Sequence, residues 1–371
     1  MNKQRFARLI CDLESPDFSK VQSAANTIIS LRDENSYQFI LDALNEESPA
    51  VQRVMLWALQ NYKDTDYSKY LIYLAAADSD VREAAQVLFM EGGVAAESAL
   101  ESAVHSADSK LQYAAVETLG HLRTKTAEKM LIEALSIEER SVRLLAASAL
   151  SAYPSDAVTA ALIRSLAYDD VALSALFSLR GRNLSSEELN AVYPFTSNAD
   201  SAVRTAAVYV LDATAPDSTA DDSDAKVRRA SAETTTSADV LKKLMDDKEA
   251  YVRSAAVEAA AKQKLEFTDS FIRLLSDEQP GVRRAAAAAL GNLKTAAAEY
   301  VIPALKNALH DKKPGVRAAA ANALAEIATP EAKTVLEAAL DEKNPFLSGI
   351  MKNALEKLNK KLEAEMKITG H

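Results

Sequence analysis

The chain has 371 residues, of which 48% are hydrophobic and 26% are charged, a balance typical of folded proteins rather than disordered chains. Its 43 Lys and Arg against 53 Asp and Glu give a net charge of −10, which argues against the positive field of nucleic-acid-binding proteins. A single cysteine, Cys11, excludes an intramolecular disulfide and any metal site built from several cysteines. We expect a cytoplasmic protein, because no apolar run approaches the roughly 20 residues of a membrane span and the first residues lack a secretory signal.

One short block recurs along the whole sequence: an acidic residue and a turn, followed by Val-Arg-x-Ala-Ala-x-x-Ala-Leu. Its clearest copies lie at 277–293 and 311–327. We call the Val, or the apolar residue that replaces it, the anchor, and number its neighbours from it (+1 for the next residue). The anchors recur every 24 to 34 residues, which is typical of repeat proteins. They are Val21, Val51, Val81, Leu111, Val142, Val171, Val203, Val227, Val252, Val282, Val316 and Phe346.

Each period contains two helical patterns. Before the anchor, apolar residues at −11 and −7 share one face of a short first helix, as Leu241 and Met245 do. After the anchor, apolar residues at +3, +4, +7 and +8 form one face of a second, Ala-rich helix, as they do after Val282. Because helices this short are not stable alone, we expect the hairpins to stack side by side into an α-solenoid.

The block and its period of about 30 residues resemble the short HEAT-like repeats of the phycobilisome-lyase type. The resemblance covers nearly all of the chain. It implies an all-α fold, a right-handed α-solenoid (superhelix) of about 12 HEAT-like helical hairpins whose second helices line the concave face. Proteins with such repeats serve as scaffolds, adaptors and enzyme regulators, and a few are enzymes, so the resemblance leaves these functions open for this chain.

Two departures from the period predict the domain organisation. Val171 is followed by Ala172 instead of Arg, so that repeat is degenerate. Residues 212–225 contain five Asp and no Lys or Arg, and the short anchor spacings there leave no room for a full first helix. We expect an acidic loop or shortened repeat, acting as a hinge between an N-terminal stack (1–211) and a C-terminal stack (226–350), with a capping helix at 351–371. The alternative for the acidic segment, a calcium loop, lacks the Gly and terminal Glu of an EF-hand.

Motifs that carry chemistry are missing from the sequence. There is no phosphate-binding Gly-rich loop and no Gly-x-Ser-x-Gly turn, and no two histidines lie three or four residues apart. Cys11 has no histidine beside it. We therefore name no catalytic, cofactor-binding or metal-binding residue and expect no cofactor.

Arginine follows the anchor directly in seven repeats, and aspartate precedes the anchor by five residues in five repeats. The arginines are Arg82, Arg143, Arg204, Arg228, Arg253, Arg283 and Arg317, and the aspartates are Asp222, Asp247, Asp277, Asp311 and Asp341. We interpret them as a structural ladder in which each arginine bonds carboxylates or carbonyls at its own or the neighbouring turn. The alternative is a basic stripe that binds phosphates, but the acidic partners recur in the same register.

Positions +2, +5, +6 and +9 lie outside the expected core face of the second helices. In the C-terminal half they are small, but in the N-terminal half they are large and apolar, which is typical of interaction sites. We predict that this row binds a partner protein on the concave face: Leu56, Trp57, Val87, Met90, Tyr113, Val116, Leu144, Val208 and Tyr209. The alternative is that the phase is off by one position and that these side chains complete the core.

The leading functional hypothesis is a non-enzymatic scaffold or adaptor that binds a partner protein in its groove. A chromophore (bilin) lyase-like subunit, or another enzyme-accessory or regulatory subunit, is the alternative that the family resemblance implies. A nucleic-acid-binding HEAT solenoid is the third hypothesis, and the net charge and the acidic partners of the arginines argue against it.

Overall fold

The computed structural model describes residues 1–46, 48–62, 66–293, 298–341 and 345–369. Helices make up most of these ranges, and no β-strand is present in them. None of the helices described there is both long and apolar enough to cross a membrane. The residue contacts divide the chain into two compact units, Met1–Glu188 and Leu189–His371, and the division falls inside helix α13.

The described residues of the first unit form six helical hairpins. Its helices are α1 (Lys3–Leu13), α2 (Phe18–Ile29), α3 (Glu34–Glu46), α4 (Pro49–Leu59), α5 (Leu71–Leu74), α6 (Ser79–Glu91), α7 (Gly93–Val104), α8 (Ser109–Leu122), α9 (Lys125–Ala134), α10 (Arg140–Ala149), α11 (Asp156–Ser165) and α12 (Ala172–Leu179). Short 3-10 helices at Ser68–Tyr70 and Leu150–Ala152 extend α5 and α10.

The second unit continues the same alternation of first and second helices. Its helices are α13 (Ser186–Val192), α14 (Ser201–Leu211), α15 (Ala225–Thr234), α16 (Ala238–Leu244), α17 (Ala250–Lys262), α18 (Thr268–Leu274), α19 (Pro280–Asn292), α20 (Ala298–Ala308), α21 (Pro314–Ile327), α22 (Pro330–Ala338) and α23 (Pro345–Thr369). The 3-10 helices of this unit are Tyr193–Ser197, Asp212–Thr214, Asp217–Asp221 and Ala339–Asp341.

Each predicted anchor lies in a second helix or directly before one, as Val171 does before α12. The second helices contact one another in order, α4 with α6, α6 with α8, and likewise α17 with α19 and α19 with α21. First helices contact their own second helix and the next first helix, such as α7 with α9. This two-layer stack of hairpins confirms the all-α solenoid class, here within each unit.

The turn between the two helices of a hairpin ends in a cap that the sequence supplies. Asp78, Asp108 and Asp200 accept hydrogen bonds from backbone N–H groups in the first turns of α6, α8 and α14. Proline fills the first turn of α4, α19 and α21, where its missing N–H costs nothing. The second helices therefore begin at the points that the repeat block marks.

The acidic segment at 212–225 lies inside the second unit. The 3-10 helix Asp217–Asp221 stands where other repeats have a full first helix, and it packs against α15 and buries Thr219 and Ala220. The division of the chain by contacts falls earlier, at Glu188, so the predicted domain boundaries and the hinge stay predictions. The predicted cap at 351–371 continues a helix that begins at Pro345, and its last two residues lie outside the described ranges.

Small residues let neighbouring second helices approach closely. At Gly291 in α19, a Cβ atom would lie 2.7 Å from the Cα of Ala323 in α21. No side chain fits at that distance without a shift of one backbone against the other. The Ala-rich face of the second helices is thus a close backbone contact and not only a hydrophobic surface.

Candidate functional site

The structure shows which positions of a second helix face outward. Position +5 is buried in most repeats, although the polar Asn26 and Gln86 at this position of α2 and α6 are not. The predicted exposure of Leu56, Val116 and Val208 is wrong, because each has a relative exposure of 0%. Ala287 and Ala321, at the same position of later repeats, are equally buried. The reason is that a second helix has a second helix on both sides as well as its own first helix, so its buried face is wider than one stripe.

The other predicted residues lie at +2, +6 and +9, and they reach the surface. Trp57, Met90 and Tyr113 are exposed to 36%, 44% and 40%, and Val87, Leu144 and Tyr209 are half-buried. Six of the nine residues thus lie at least partly on the outer side of the second helices. Their role in partner binding stays a prediction.

Sequence reasoning missed two residues of this surface, Leu173 and Phe177 in the degenerate repeat. They occupy +2 and +6 of α12, and Phe177 is exposed to 59%. Numbering from Val171 would have found them, because the missing Arg does not change the phase of the helix. We call the apolar stripe the set of outward apolar residues on α4, α6, α8, α10 and α12: Trp57, Val87, Met90, Tyr113, Leu144, Leu173 and Phe177.

Trp57 is held in place by a charged neighbour. The guanidinium carbon of Arg53, one turn earlier on α4, lies 5.4 Å from the centroid of the indole ring. Arg53 Nη1 also donates to Asp80 Oδ2 at 2.5 Å, at the start of the next second helix. Arg53 thus joins the indole ring of Trp57, through the cation–π contact, to the carboxylate of Asp80 on α6.

A groove of about 560 Å³ opens beside Tyr113. Lys110 and Glu117 on the same helix line it, together with Arg82 and Ser141 from the two neighbouring repeats. Glu117 Oε2 accepts a hydrogen bond from Gln86 Nε2 at 2.7 Å, so the outward faces of α6 and α8 are in direct contact. This hydrogen bond joins α6 and α8 beside the stripe.

Several of the same outward positions in the second unit carry charged side chains, such as Arg229, Glu233, Glu258 and Arg284. Tyr209 Oη donates to Glu233 at 2.6 Å, and Arg229 Nε donates to the other oxygen of that carboxylate at 2.7 Å. Arg284 lies 3.8 Å from Glu258 on the next pair of helices. These charged side chains bond one another within the second unit.

The arginines that follow the anchors bond the turns on both sides. Arg253 Nη1 donates to the carbonyls of Asp247 and Lys248 in its own turn at 2.8 and 3.1 Å. Its Nε and Nη2 each donate to a carboxylate oxygen of Asp277, in the next turn, at 2.8 Å. The pairs Arg204–Asp222, Arg228–Asp247 and Arg283–Asp311 repeat this arrangement.

The earlier repeats keep part of the arrangement. Arg143 bonds the carbonyls of its own turn and the carboxylate of Asp170, whereas Arg82 bonds the carbonyls of Ala76 and Ala77. Arg317 Nη1 donates to the carbonyl of Asp311 at 2.7 Å, and the side chain of Asp341 lies outside the described residues. Among the described residues, the arginine row therefore serves mainly to join successive turns.

The pKa values of the paired groups agree with this geometry. The hydrogen bonds from Arg283 hold the pKa of Asp311 below its ordinary value, and the backbone N–H of Lys313 adds to the effect. Burial works to raise the pKa of Asp277, but the hydrogen bonds from Arg253 and the N–H of Gln279 outweigh it and the net pKa is lowered. The pKa of Arg253 is raised, chiefly by its bond to Asp277. Both partners of each pair are thus charged at neutral pH.

The described residues contain no cluster that is typical of a metal or catalytic site. In them, no group of three His, Cys, Asp or Glu side chains is placed to hold a metal ion. Three of the five carboxylates of the acidic segment bond other groups of the protein: Asp222 accepts from Arg204, Asp224 from the N–H of Lys226 at the start of α15, and Asp221 from Lys243. What the apolar stripe offers is exposed apolar area, aromatic rings and a few carboxylates.

Solved structures with a similar fold include Kap95p, whose binding induces the switch loops of RanGDP to adopt the GTP-bound conformation. It has a TM-score of 0.62 and 12% identity, and the match covers 96% of this chain and 61% of Kap95p. Importin beta in an ammonium sulfate condition has a TM-score of 0.59 and 13% identity, with 95% and 61% coverage. Kap121p bound to Pho4p has a TM-score of 0.56 and 14% identity, with 96% and 49% coverage. The chain thus spans about half to three fifths of the length of these proteins, and the likeness shows the fold alone.

No curated protein matches the sequence closely enough to count as a relative. The sequence does match the profile of HEAT repeats at residues 96–180, 237–299 and 268–347, which together are more than half of the chain. The narrower assignment to the phycobilisome-lyase type of repeat stays a prediction. From the repeat, the two-layer stack of hairpins and the profile match, the chain belongs to the HEAT-repeat family.

Proposed function

We propose that this protein is a non-enzymatic scaffold or adaptor that binds a partner protein with its apolar stripe. The observation that carries the proposal is that five consecutive second helices, α4 to α12, each present an apolar side chain outward. A continuous exposed apolar surface that includes Trp, Tyr and Phe is typical of a protein interface.

The fold and the charges support this proposal over the nucleic-acid hypothesis. Kap95p and Kap121p, which have a similar fold, bind other proteins: Kap95p binds RanGDP, and Kap121p binds Pho4p. The arginine row is bonded to carboxylates and turn carbonyls, which leaves it a poor phosphate-binding surface. The cytoplasm stays the predicted location, and a concave position of the stripe stays part of the proposal.

Affinity purification with two matched variants tests the proposal. The stripe variant carries Trp57→Ala, Tyr113→Ala and Phe177→Ala. The control variant carries Ile72→Ala and Tyr300→Ala, which remove large exposed side chains from first helices. We expect quantitative mass spectrometry to find proteins that the wild type and the control retain and the stripe variant loses. If the folded stripe variant, checked by circular dichroism, retains the same proteins in the same amounts, the apolar stripe is not the binding site.

A further inference from the structure

We propose that the groove beside Tyr113 binds a carboxylate of the partner protein: an Asp or Glu side chain that pairs with Arg82, next to an apolar side chain that packs on Tyr113. This inference rests on the proposed function of the apolar stripe, to which Tyr113 belongs. It adds a charged contact to that surface and states the chemistry of the partner segment.

The guanidinium group of Arg82 is held in the same way as that of Arg253, which pairs with a carboxylate. Arg82 Nη1 donates to two carbonyls of its own turn, six and five residues earlier, at 2.6 and 2.9 Å. Arg253 Nη1 bonds carbonyls at the same two positions, and its Nε and Nη2 reach Asp277 in the next turn. The matching bonds of Nη1 indicate that the Nε and Nη2 edge of Arg82 faces the next turn as well.

That next turn has a serine where the paired repeats have an aspartate. Ser106 lies five residues before its anchor, as Asp277 does. Ser106 Oγ accepts from the N–H of Asp108, two residues on, at 3.1 Å, and Asp277 makes the same bond with the N–H two residues on at 2.8 Å. A hydroxyl group cannot form the bidentate pair with a guanidinium group that a carboxylate forms. Within the described ranges, Arg82 has no carboxylate partner.

The groove gives a ligand access to this edge. Arg82 is half-buried and lines the groove with Lys110 and Glu117, and Glu117 already accepts a hydrogen bond from α6. Residues 75–77 and the ring of Tyr113, which is exposed to 40%, form apolar parts of its wall. The charged side chains that line the groove are therefore two cations and one carboxylate. A carboxylate bound there would form a charge-assisted pair with Arg82 beside an apolar surface.

The charge of the first unit favours a single carboxylate over a polyanion. Met1–Glu188 contains 18 Lys and Arg and 27 Asp and Glu, a net charge of −9. A nucleic-acid backbone or a long run of acidic residues would be repelled by this charge. One Asp or Glu next to an apolar residue gains the pair with Arg82 and the contact with Tyr113 and brings the least additional negative charge.

The substitution Ser106→Asp supplies the missing carboxylate from the chain itself. We expect it to pair with Arg82, to close the site and to raise the urea midpoint of unfolding. Ser106→Asn is the matched control, because Asn198 accepts the same turn N–H at the equivalent position and carries no charge. The gain of Ser106→Asp over Ser106→Asn should vanish when Arg82→Ala is also present. No gain, or an equal gain beside Arg82→Ala, would show that the edge of Arg82 does not face this turn, and the inference would be overturned.

A phage-displayed library of random peptides is the probe for binding. After selection on the wild-type protein, we expect the enriched peptides to carry an Asp or Glu next to a large apolar residue. Synthetic copies, measured by fluorescence anisotropy, are expected to bind Ser106→Asp and Arg82→Ala at least about tenfold more weakly and Ser106→Asn equally well. A peptide with Asn or Gln in place of its Asp or Glu should show the same loss on the wild-type protein.

The outcomes separate this inference from the proposed function. Enrichment of no peptide, or of peptides without an acidic residue, overturns it, and so does unchanged binding to Ser106→Asp. Tighter binding with phosphoserine in place of the acidic residue overturns the choice of a carboxylate. If Ser106→Asp retains in the affinity purification the proteins that the stripe variant loses, this inference fails and the proposed function stands.

Discussion

At the scale of single residues, neighbours on α4 have opposite environments. Leu56 is fully buried and Trp57 is partly exposed, although they are adjacent in sequence and both are large and apolar. Successive side chains on an α-helix differ by about 100° in direction, so one step along the chain crosses from the core to the surface. The same change of environment separates Val208 from Tyr209 on α14.

This contrast gives a matched pair of substitutions. Leu56→Ala leaves a cavity in the core, and we expect it to lower the free energy of unfolding by about 2–5 kcal/mol. Trp57→Ala removes a surface side chain and is expected to change it by less than about 1 kcal/mol while reducing binding. Urea denaturation followed by circular dichroism measures both. A Trp57→Ala protein as unstable as Leu56→Ala would mean that the indole belongs to the core.

At the scale of the helical hairpin, the arginine that follows the anchor in seven repeats forms hydrogen bonds with the turns between helices, as Arg253 does. The turns expose backbone carbonyls that no helix satisfies, and the arginine bonds two of them while reaching the aspartate of the next turn. The guanidinium group suits this role because its donors are fixed in one plane and match a carboxylate in a bidentate pair.

We expect the loss of a partly buried Arg–Asp pair to lower the free energy of unfolding more than the loss of an exposed pair does. Arg253→Ala leaves Asp277 and two carbonyls half-buried without their donor, and we expect it to lower the free energy of unfolding by about 3 kcal/mol. Arg273→Ala is the control, because Arg273 and Asp246 are both more than half exposed and such pairs contribute at most about 1 kcal/mol. Chemical denaturation of the two variants makes the comparison. Equal losses would contradict the structural role of the ladder.

The lowered pKa values of the ladder aspartates predict how stability depends on pH. The carboxylate of Asp311 is held charged by Arg283 in the folded state, whereas in the unfolded chain its pKa returns to about 3.9. Its contribution is complete at neutral pH and is lost as the pH falls below about 4 through the folded pKa. We expect stability to be nearly constant from pH 7 to 5 and to fall below pH 4.

The variant Asp311→Asn tests the assignment. It is expected to be less stable than the wild type at pH 7 and to lose less stability between pH 5 and pH 3, as measured by urea denaturation at each pH. If the stability of both proteins falls equally between pH 5 and pH 3, groups other than Asp311 cause the acid sensitivity.

At the scale of the whole molecule, stability is local. Every pair of helices in substantial contact lies close together along the chain, so each hairpin is stabilised by its neighbours and not by distant segments. A local defect is therefore expected to weaken the adjacent repeats most.

Gly291→Val places a side chain where the Cα of Ala323 would be only 2.7 Å away, and we expect a loss of more than about 2 kcal/mol in stability. Hydrogen exchange read by mass spectrometry should show faster exchange in α17, α19 and α21 and unchanged exchange in α2, α4 and α6. Gly281→Val is the control, because no atom lies within 4 Å of its Cβ position. Uniformly faster exchange along the chain would contradict the local character of the defect.

The sequence by itself determined the helical hairpin, its repetition and the anchors, because these features follow from periodicity and from contacts between consecutive repeats. Only the tertiary structure decided that position +5 is core and +6 is surface, since a second helix is enclosed by a neighbour on each side and the pattern of one helix does not contain that information. Leu173 and Phe177 lie at +2 and +6 although their repeat lacks the Val-Arg pair, and numbering from Val171 in the sequence is enough to find them. Which side chains reach the surface is thus decided by the stack of helices, and the repeat unit is decided by the sequence.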